Sequence, residues 1–427
     1  MDLESGRSLS TRNAGVFVFL PLLARLHFDQ IVTRAGYPGS MMVPAPSGLL
    51  ALLTLKLLDK ERRRHINDVN CDQALGRFAG LNILPKKSYA IDYSYQTTRA
   101  NQRTLLEGWV TALGQALFPA ADTFSVDFHP IPSRGDPTGL DRHHVPRRGK
   151  AAPSIQTFFA LEQESRCLCF ANANLTRADQ PGELMRFVEF WHTLTDHDPQ
   201  WLYFDSKVVD YSELSKINQR GIHFITIRRR GAAILRRLEA LGRSSWKGAV
   251  LDTPQRCHQH IWYVDESLKL RGYEGPIRQL AVKGLGRAKP TLLLANHWKE
   301  TARNLVIRYA GRNRVEDGLG ISVNFFHLDC LASEVRLNVD LDATLTVLAN
   351  GCYRWLGKQL RGFEKAGPKE LYRLFVATEG HVWTTPKELI VSLERRSHNP
   401  ILREAALDRD SPPIPWLGGR RLRFIYA

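Results

Sequence analysis

The sequence predicts an α/β fold, a mixed sheet flanked by helices, with a mainly helical N-terminal region before it and a β-rich insertion late in it. Three observations predict this. Residues 15–118 read mainly helical, above all in the Leu-rich Ser47–Lys60 and the amphipathic Arg99–Leu117. From residue 121 the apolar period drops to two, and strand-like and helix-like segments then alternate as far as residue 230. After residue 231 that rhythm breaks into short strand candidates. A hydrophobic share of 43% excludes disorder over most of the length.

The elements follow in order. In Phe124-Ser125-Val126-Asp127-Phe128-His129 the alternation turns Asp127 away from the apolar face made by Phe124, Val126 and Phe128. Ile155–Leu161 and Cys167–Asn174 are the next two strands. Gly182–Thr195 is a helix with Leu184, Phe187, Val188 and Trp191 at helical spacing. A strand at Trp201–Asp205, a helix at Tyr211–Arg220 and a strand at His223–Arg229 come next, with Gly221 placed to end the helix. Three strands, helix, strand, helix, strand is the order of a ribonuclease H-like core, with one acid on the first strand and another at the end of the fourth. In residues 231–300 we expect a basic helix at Ala232–Leu241 and strands near Ile261–Val264, Gln279–Val282 and Thr291–Leu294. A helix resuming near Thr301 carries Glu316, and Leu341–Leu360 is an apolar core helix. The tail is loop-like before a short last strand. The expected divisions are 1–120, helical; 121–230, first part of the sheet domain; 231–300, insertion; 301–395, second part; and 396–427, tail.

Charge narrows the function. Fifty-nine Lys and Arg against forty-three Asp and Glu leave +16 and a pI near 9.7, which suits a polyanion better than a small acidic substrate. The longest apolar stretches, Val16–Leu23 and Leu49–Leu58, fall short of the roughly 20 residues that span a membrane. Asp2 and Glu4 beside Arg7 are unlike the start of a secretory signal, so a cytoplasmic protein with no membrane partner is expected. Six cysteines without a CxxC pair favour neither a disulfide framework nor a zinc ribbon, and Cys257-His258-Gln259-His260 lacks a second ligand pair nearby.

Within the predicted helix, Tyr309, Arg312 and Glu316 stand at i, i+3 and i+7, within about 60° of one another on one face. A surface salt-bridge stripe would look the same. Asp127 and Asp205 change the reading, because two strand-borne acids and a helix-borne acid converge readily in such a core. Three ionised carboxylates in one site repel by about 3 kcal/mol per pair at about 5 Å and an effective dielectric near ~20. Cations must fill such a cluster, and all-oxygen ligation favours Mg²⁺, with Mn²⁺ as substitute. Two such ions about 3.5–4 Å apart serve phosphoryl transfer without a side-chain nucleophile. Asp317 is a possible substitute acid, but it points about 100° off the Tyr309 stripe.

These residues resemble the DDE transposases of bacterial insertion sequences, in the group marked by Tyr-x2-Arg-x3-Glu-x6-Lys around the third acid. The resemblance runs from about residue 75 through Phe78-Ala79-Gly80-Leu81-Asn82-Ile83-Leu84-Pro85, Asp127-Phe128-His129-Pro130-Ile131-Pro132 and Phe204-Asp205-Ser206-Lys207. It continues through Gly221–Arg230, the Glu316 helix, Asn324–Asn338 and Ile414-Pro415-Trp416-Leu417. It implies that Asp127, Asp205 and Glu316 are catalytic and bind Mg²⁺, and that Tyr309 and Arg312 help hold a DNA end. It also implies that residues 1–120 bind DNA, and that a dimer works on paired element ends with double-stranded DNA as element terminal repeats and target. The chain departs from the pattern at Val323, where the family has lysine. The expected reaction is metal-dependent cleavage at element ends followed by strand transfer. A related metal-dependent nuclease, or an inactive DNA-binding derivative, is the alternative.

Other basic residues are read as DNA contacts: Arg142, Arg147, Arg148 and Lys150 after the first strand, and Arg228, Arg229 and Arg230 at the end of the fifth. Arg62–Arg64 is either a solvated helix end or a phosphate contact. Trp246, Trp262 and Trp298 in or beside the insertion are read as core packing, although related enzymes can stack an insertion tryptophan on a flipped base.

Overall fold

The computed structural model describes residues 7–119, 121–133, 140–145, 149–206, 210–253, 256–330 and 335–426, with the side chains of 253, 256, 257 and 313–316 left out. Along the chain the strands are β1 (Leu9–Thr11), β2 (Thr123–Pro132), β3 (Arg142–Val145), β4 (Lys150–Glu162), β5 (Leu168–Asn172), β6 (Trp201–Phe204) and β7 (His223–Ile227). They continue with β8 (Lys247–Thr253), β9 (Arg256–Lys269), β10 (Pro276–Lys283), β11 (Thr291–Ala295), β12 (Gly380–Thr384), β13 (Glu388–Leu393) and β14 (Arg421–Tyr426). The fold is mixed α/β, as expected.

One large sheet has the order β3-β4-β2-β6-β7-β11-β10-β9-β8, with β5 also pairing with β4. β2 runs antiparallel to β4 and parallel to β6, and β6 runs parallel to β7. The period-two pattern of β2 explains its place near the centre. Phe124, Val126 and Phe128 are buried on one face, and Phe124 packs on Phe187 and Trp191 of the helix Glu183–Thr195 with ring centroids 5.3 and 4.5 Å away. The helix Tyr211–Gln219 crosses from β6 to β7, and Gly221 follows it at φ +75°, the left-handed position that favours glycine at a helix end.

Residues 231–300 extend this sheet. β11 pairs antiparallel with β7, and β10, β9 and β8 follow as an antiparallel meander. The three expected strands are present inside longer ones, and the whole of β8 was missed. Gly248 interrupts its apolar pattern, and its strand character comes from pairing with β9.

The long helix Arg336–Gln359 is buried from Asn338 to Gly357, and lies between the N-terminal helices and β5. It starts five residues before the apolar run that predicts it, because Asp340 and Asp342 are buried with partners. Lys56 on the helix Ala45–Leu57 reaches Asp342 at 2.6 Å, and Arg99 reaches Asp340 at 2.9 Å. Burial pushes the Asp340 carboxyl above its usual range, with Arg99 opposing. One connected apolar core takes in the N-terminal helices, the sheet and this helix. Arg63 is half-buried, donating to Ser94 Oγ at 2.7 Å and to the Asn338 carbonyl at 2.6 Å, so that residue is engaged within the fold, while Arg64 is exposed.

A second sheet, β1-β12-β13-β14, joins the two ends of the described chain. Its strands β12 and β13 lie between the expected core helix and the expected tail, in a stretch for which the sequence predicts no particular element. Close by, the Trp416 indole donates to the Phe78 carbonyl at 3.1 Å, and Gly80 at φ +72° has Trp416 where a Cβ would stand. Two distant segments quoted for the resemblance therefore touch. Among the described residues no single helix is long and apolar enough to cross a membrane.

Candidate active site

Asp127 and Asp205 reach one place through strand register. β2 and β6 pair in parallel with Val126 opposite Phe204. Continued one residue past the end of β6, that register sets Asp205 opposite Asp127 of β2. The pleat puts both on the same face as Ser125 and Tyr203, opposite the helix Glu183–Thr195. On that face Trp201 and Tyr203 pack under Ala302, Leu305 and Val306 of the helix Ala302–Ala310. The third segment of the motif thus packs on β6, the strand that leads to Asp205.

The expected single helix carrying Tyr309, Arg312 and Glu316 is broken. Ala302–Ala310 ends at Gly311, and Asn313–Asn324 begins after Arg312. Glycine is a poor helix former, and it coincides with the break. Tyr309 and Arg312 still reach the two acid-bearing segments. The Arg312 Nη2 donates to Asp127 Oδ2 at 2.8 Å, and the Tyr309 hydroxyl lies 3.5 Å from the carbonyl of Phe204, the residue before Asp205. Arg312 is only 4% exposed, so it serves here as an internal counter-charge. Glu316 belongs to the helix Asn313–Asn324, which packs on β2 and β4, with Gly318 close against Leu161 of β4. The Glu316 side chain lies outside the described residues.

Three alternate positions of β2 are each held by a different element. Ser125 accepts from Gln163 Nε2 beyond the end of β4, Asp127 from Arg312, and His129 Nε2 meets Asp329 Oδ1 at 2.7 Å. Gln163, His129 and Asp329 were not foreseen, although His129 shares the period-two face of Asp127 and could have been found by it. Each acid also turns one oxygen back on the chain. Asp127 Oδ1 accepts from the Phe128 N–H at 2.8 Å and Asp205 Oδ1 from the Ser206 N–H at 2.6 Å. Such bonds fix the orientation of a carboxylate. Beneath the site, burial raises the Tyr203 phenol above its ordinary value, while a hydrogen bond from Arg308 works against it. The two described carboxylates are hard oxygen donors, a chemistry that suits a hard divalent cation better than a soft one.

The basic residues divide. Arg228 is tied to Gln279 at 2.6 Å, whereas Arg229 and Arg230 are exposed. Arg142 and Lys150 are exposed on β3 and β4, and Arg147 and Arg148 lie outside the described residues. Core packing does not hold for Trp262 and Trp298, which are 47% and 48% exposed. Trp262 stands on a strand near the open edge of the sheet, and Trp298 in the turn after β11, where no layer covers them. Trp246 packs beside Leu238 and Leu292, with the Lys283 ammonium 3.7 Å from its ring centroid. Val323, at the position of the family lysine, is 7% exposed and part of the core, so a lysine there would point away from solvent. A scan against protein-family models finds no match to this chain, and a comparison with curated proteins finds none either.

Proposed function

We propose that this chain is a DDE-type DNA transposase with a ribonuclease H-like catalytic core. What supports the reading is the parallel pairing of β2 with β6 up to Val126 and Phe204, the residues just before Asp127 and Asp205, together with the contacts of Arg312 to Asp127 and of Tyr309 to the Phe204 carbonyl. The strand sequence β5-β4-β2-β6-β7, antiparallel up to β2 and parallel beyond it, supports the core assignment. The surplus of positive charge supports a polyanionic substrate.

On this reading Asp127, Asp205 and Glu316 hold divalent cations. Mg²⁺ bound there would supply charge stabilisation for the attacking and leaving oxygens of in-line phosphoryl transfer. The chain's own residues prepare that site. The backbone N–H groups of Phe128 and Ser206 fix one oxygen of each aspartate, and Arg312 holds the other oxygen of Asp127. Arg312 neutralises Asp127 in the resting protein and can pass to a DNA phosphate when the carboxylate takes up a cation. Arg229, Arg230, Arg142 and Lys150 offer exposed positive charge for the DNA backbone. The same acids serve both steps, water attacking at an element end and the freed 3′-hydroxyl attacking target DNA. Two ends joined in one event call for a dimer.

The test is Asp127→Ala assayed on an end-containing duplex and on a pre-cut 3′-hydroxyl end. Cleavage and joining should both vanish while DNA binding stays. Equal loss of binding and chemistry would refute the metal-ligand role, and wild-type hydrolysis without a joined product would identify a nuclease instead.

A further inference from the structure

On the side of the molecule where the N-terminal helices meet the sheet domain, two chain corners face each other. Asp59 and His327 both have positive φ, +58° and +54°, uncommon for residues with a side chain. His327 Nε2 meets Asp59 Oδ1 at 2.7 Å. Around this pair the donor atoms of Glu61, His327 and Cys330 all lie within 4.8 Å of one another. In tetrahedral zinc geometry, with bonds of about 2.0–2.3 Å, ligand atoms stand roughly 3.3–3.7 Å apart, so a closure of about 1 Å would complete the set. Cys330 is partly buried and Glu61 is exposed, so the cluster is open to an ion from solvent.

We propose that Glu61, His327 and Cys330 form a binding site for a borderline-soft divalent cation of the zinc class, with Asp59 as the carboxylate that orients the histidine. The donor chemistry selects the metal. A thiolate with an imidazole favours zinc over magnesium, the reverse of the all-carboxylate site on β2 and β6. With Nε2 held by Asp59, the metal would take Nδ1, the usual arrangement in which a carboxylate fixes the tautomer of a ligating histidine. Binding displaces the thiol proton of Cys330 to solvent. The ion would join the end of the helix Ala45–Leu57 to the turn that carries Asp329. Asp329 in turn pairs with His129, two residues along β2 from Asp127, so the ion would brace the catalytic strand without taking part in chemistry. This inference is independent of the transposase reading.

The experiment titrates the full-length, metal-stripped protein with Zn²⁺ by calorimetry, and with Co²⁺ by absorption, both in excess Mg²⁺ to occupy the carboxylate site. One equivalent should bind, with the thiolate-to-cobalt charge-transfer band and the visible bands of tetrahedral cobalt. Cys330→Ser should remove the charge-transfer band, and Asp59→Asn should lower Zn²⁺ affinity about 10–100-fold. The wild-type cobalt spectrum reports the thiolate directly, so it decides the matter even if a variant fails to fold. Absence of the charge-transfer band in the wild type, or its persistence in Cys330→Ser, would overturn the proposal.

Discussion

Replacing Arg312 by methionine keeps most of the side-chain volume and removes the cation that faces Asp127. Nη2 lies 2.8 Å from Asp127 Oδ2, and the two side chains are 5% and 14% exposed. At that separation and an effective dielectric of about 20, the Coulomb attraction is about 6 kcal/mol. Desolvation of both groups offsets part of it, and breaking a buried pair from one side costs about 3–5 kcal/mol net, because the other charge stays buried. The metal-free variant should therefore be less stable by about that amount in urea unfolding followed by tryptophan fluorescence. Mg²⁺ at about a hundredfold its Kd adds about 2.7 kcal/mol to any protein that binds it only when folded. In the wild type Arg312 competes for Asp127, so Mg²⁺ should stabilise the variant more than the wild type. Two results would refute this reasoning. One is a metal-free Arg312→Met protein within about 1 kcal/mol of the wild type, well inside the stated cost. The other is a Mg²⁺ stabilisation no larger in the variant.

Three further expectations follow from the same geometry. Gly318→Val drives a side chain into Leu161, whose Cδ1 stands 2.5 Å from the position of a Cβ, and lifts the Glu316 helix off β4. Overpacking of this kind costs about 1–3 kcal/mol, and a shift of about 1 Å at the acids lowers cleavage about a hundredfold while DNA binding persists, as gel-shift and cleavage assays on one preparation would show. Lys56→Met strands Asp342, buried with it at 2.6 Å, and should cost about 3–5 kcal/mol in urea unfolding, whereas the double change Lys56→Met with Asp342→Leu should recover most of that; equal loss in both would deny the pairing. Burial first, and then the neighbouring His297, lowers the His223 pKa below its ordinary value of 6.5. The unfolded chain then binds the extra proton, so stability is lost as pH falls through 6.5, and His223→Gln should gain on the wild type in thermal melts taken downward from pH 7, with a pH-independent difference counting against it.

Much of the fold could be read from local pattern. The period-two run of β2 set the acid-bearing face, and helical spacing located Arg99–Leu117 and Glu183–Thr195 to within a residue. Elements whose cohesion comes from partners were read less well. β12 and β13 are short strands that pair with each other, and the sheet they form is completed by β1 and β14 from the two ends of the described chain. The long helix Arg336–Gln359 was read too short because its first turns bury Asp340 and Asp342 against Arg99 and Lys56, cations that no local window contains.

The sequence by itself determined which residue types could share a site: one aspartate within the first strand of the sheet domain and another at the end of the fourth, a glutamate with tyrosine and arginine at helical spacing, and a positive surplus in the chain. Those are matters of period and composition, which act within a few residues. Only the tertiary structure decided that the motif helix breaks at Gly311, that Arg312 rests on Asp127, that Val323 faces the core, and that Glu61, His327 and Cys330 meet. Each of these depends on which surfaces press together when the apolar faces are buried, and long-range packing overrides local preference wherever the two compete.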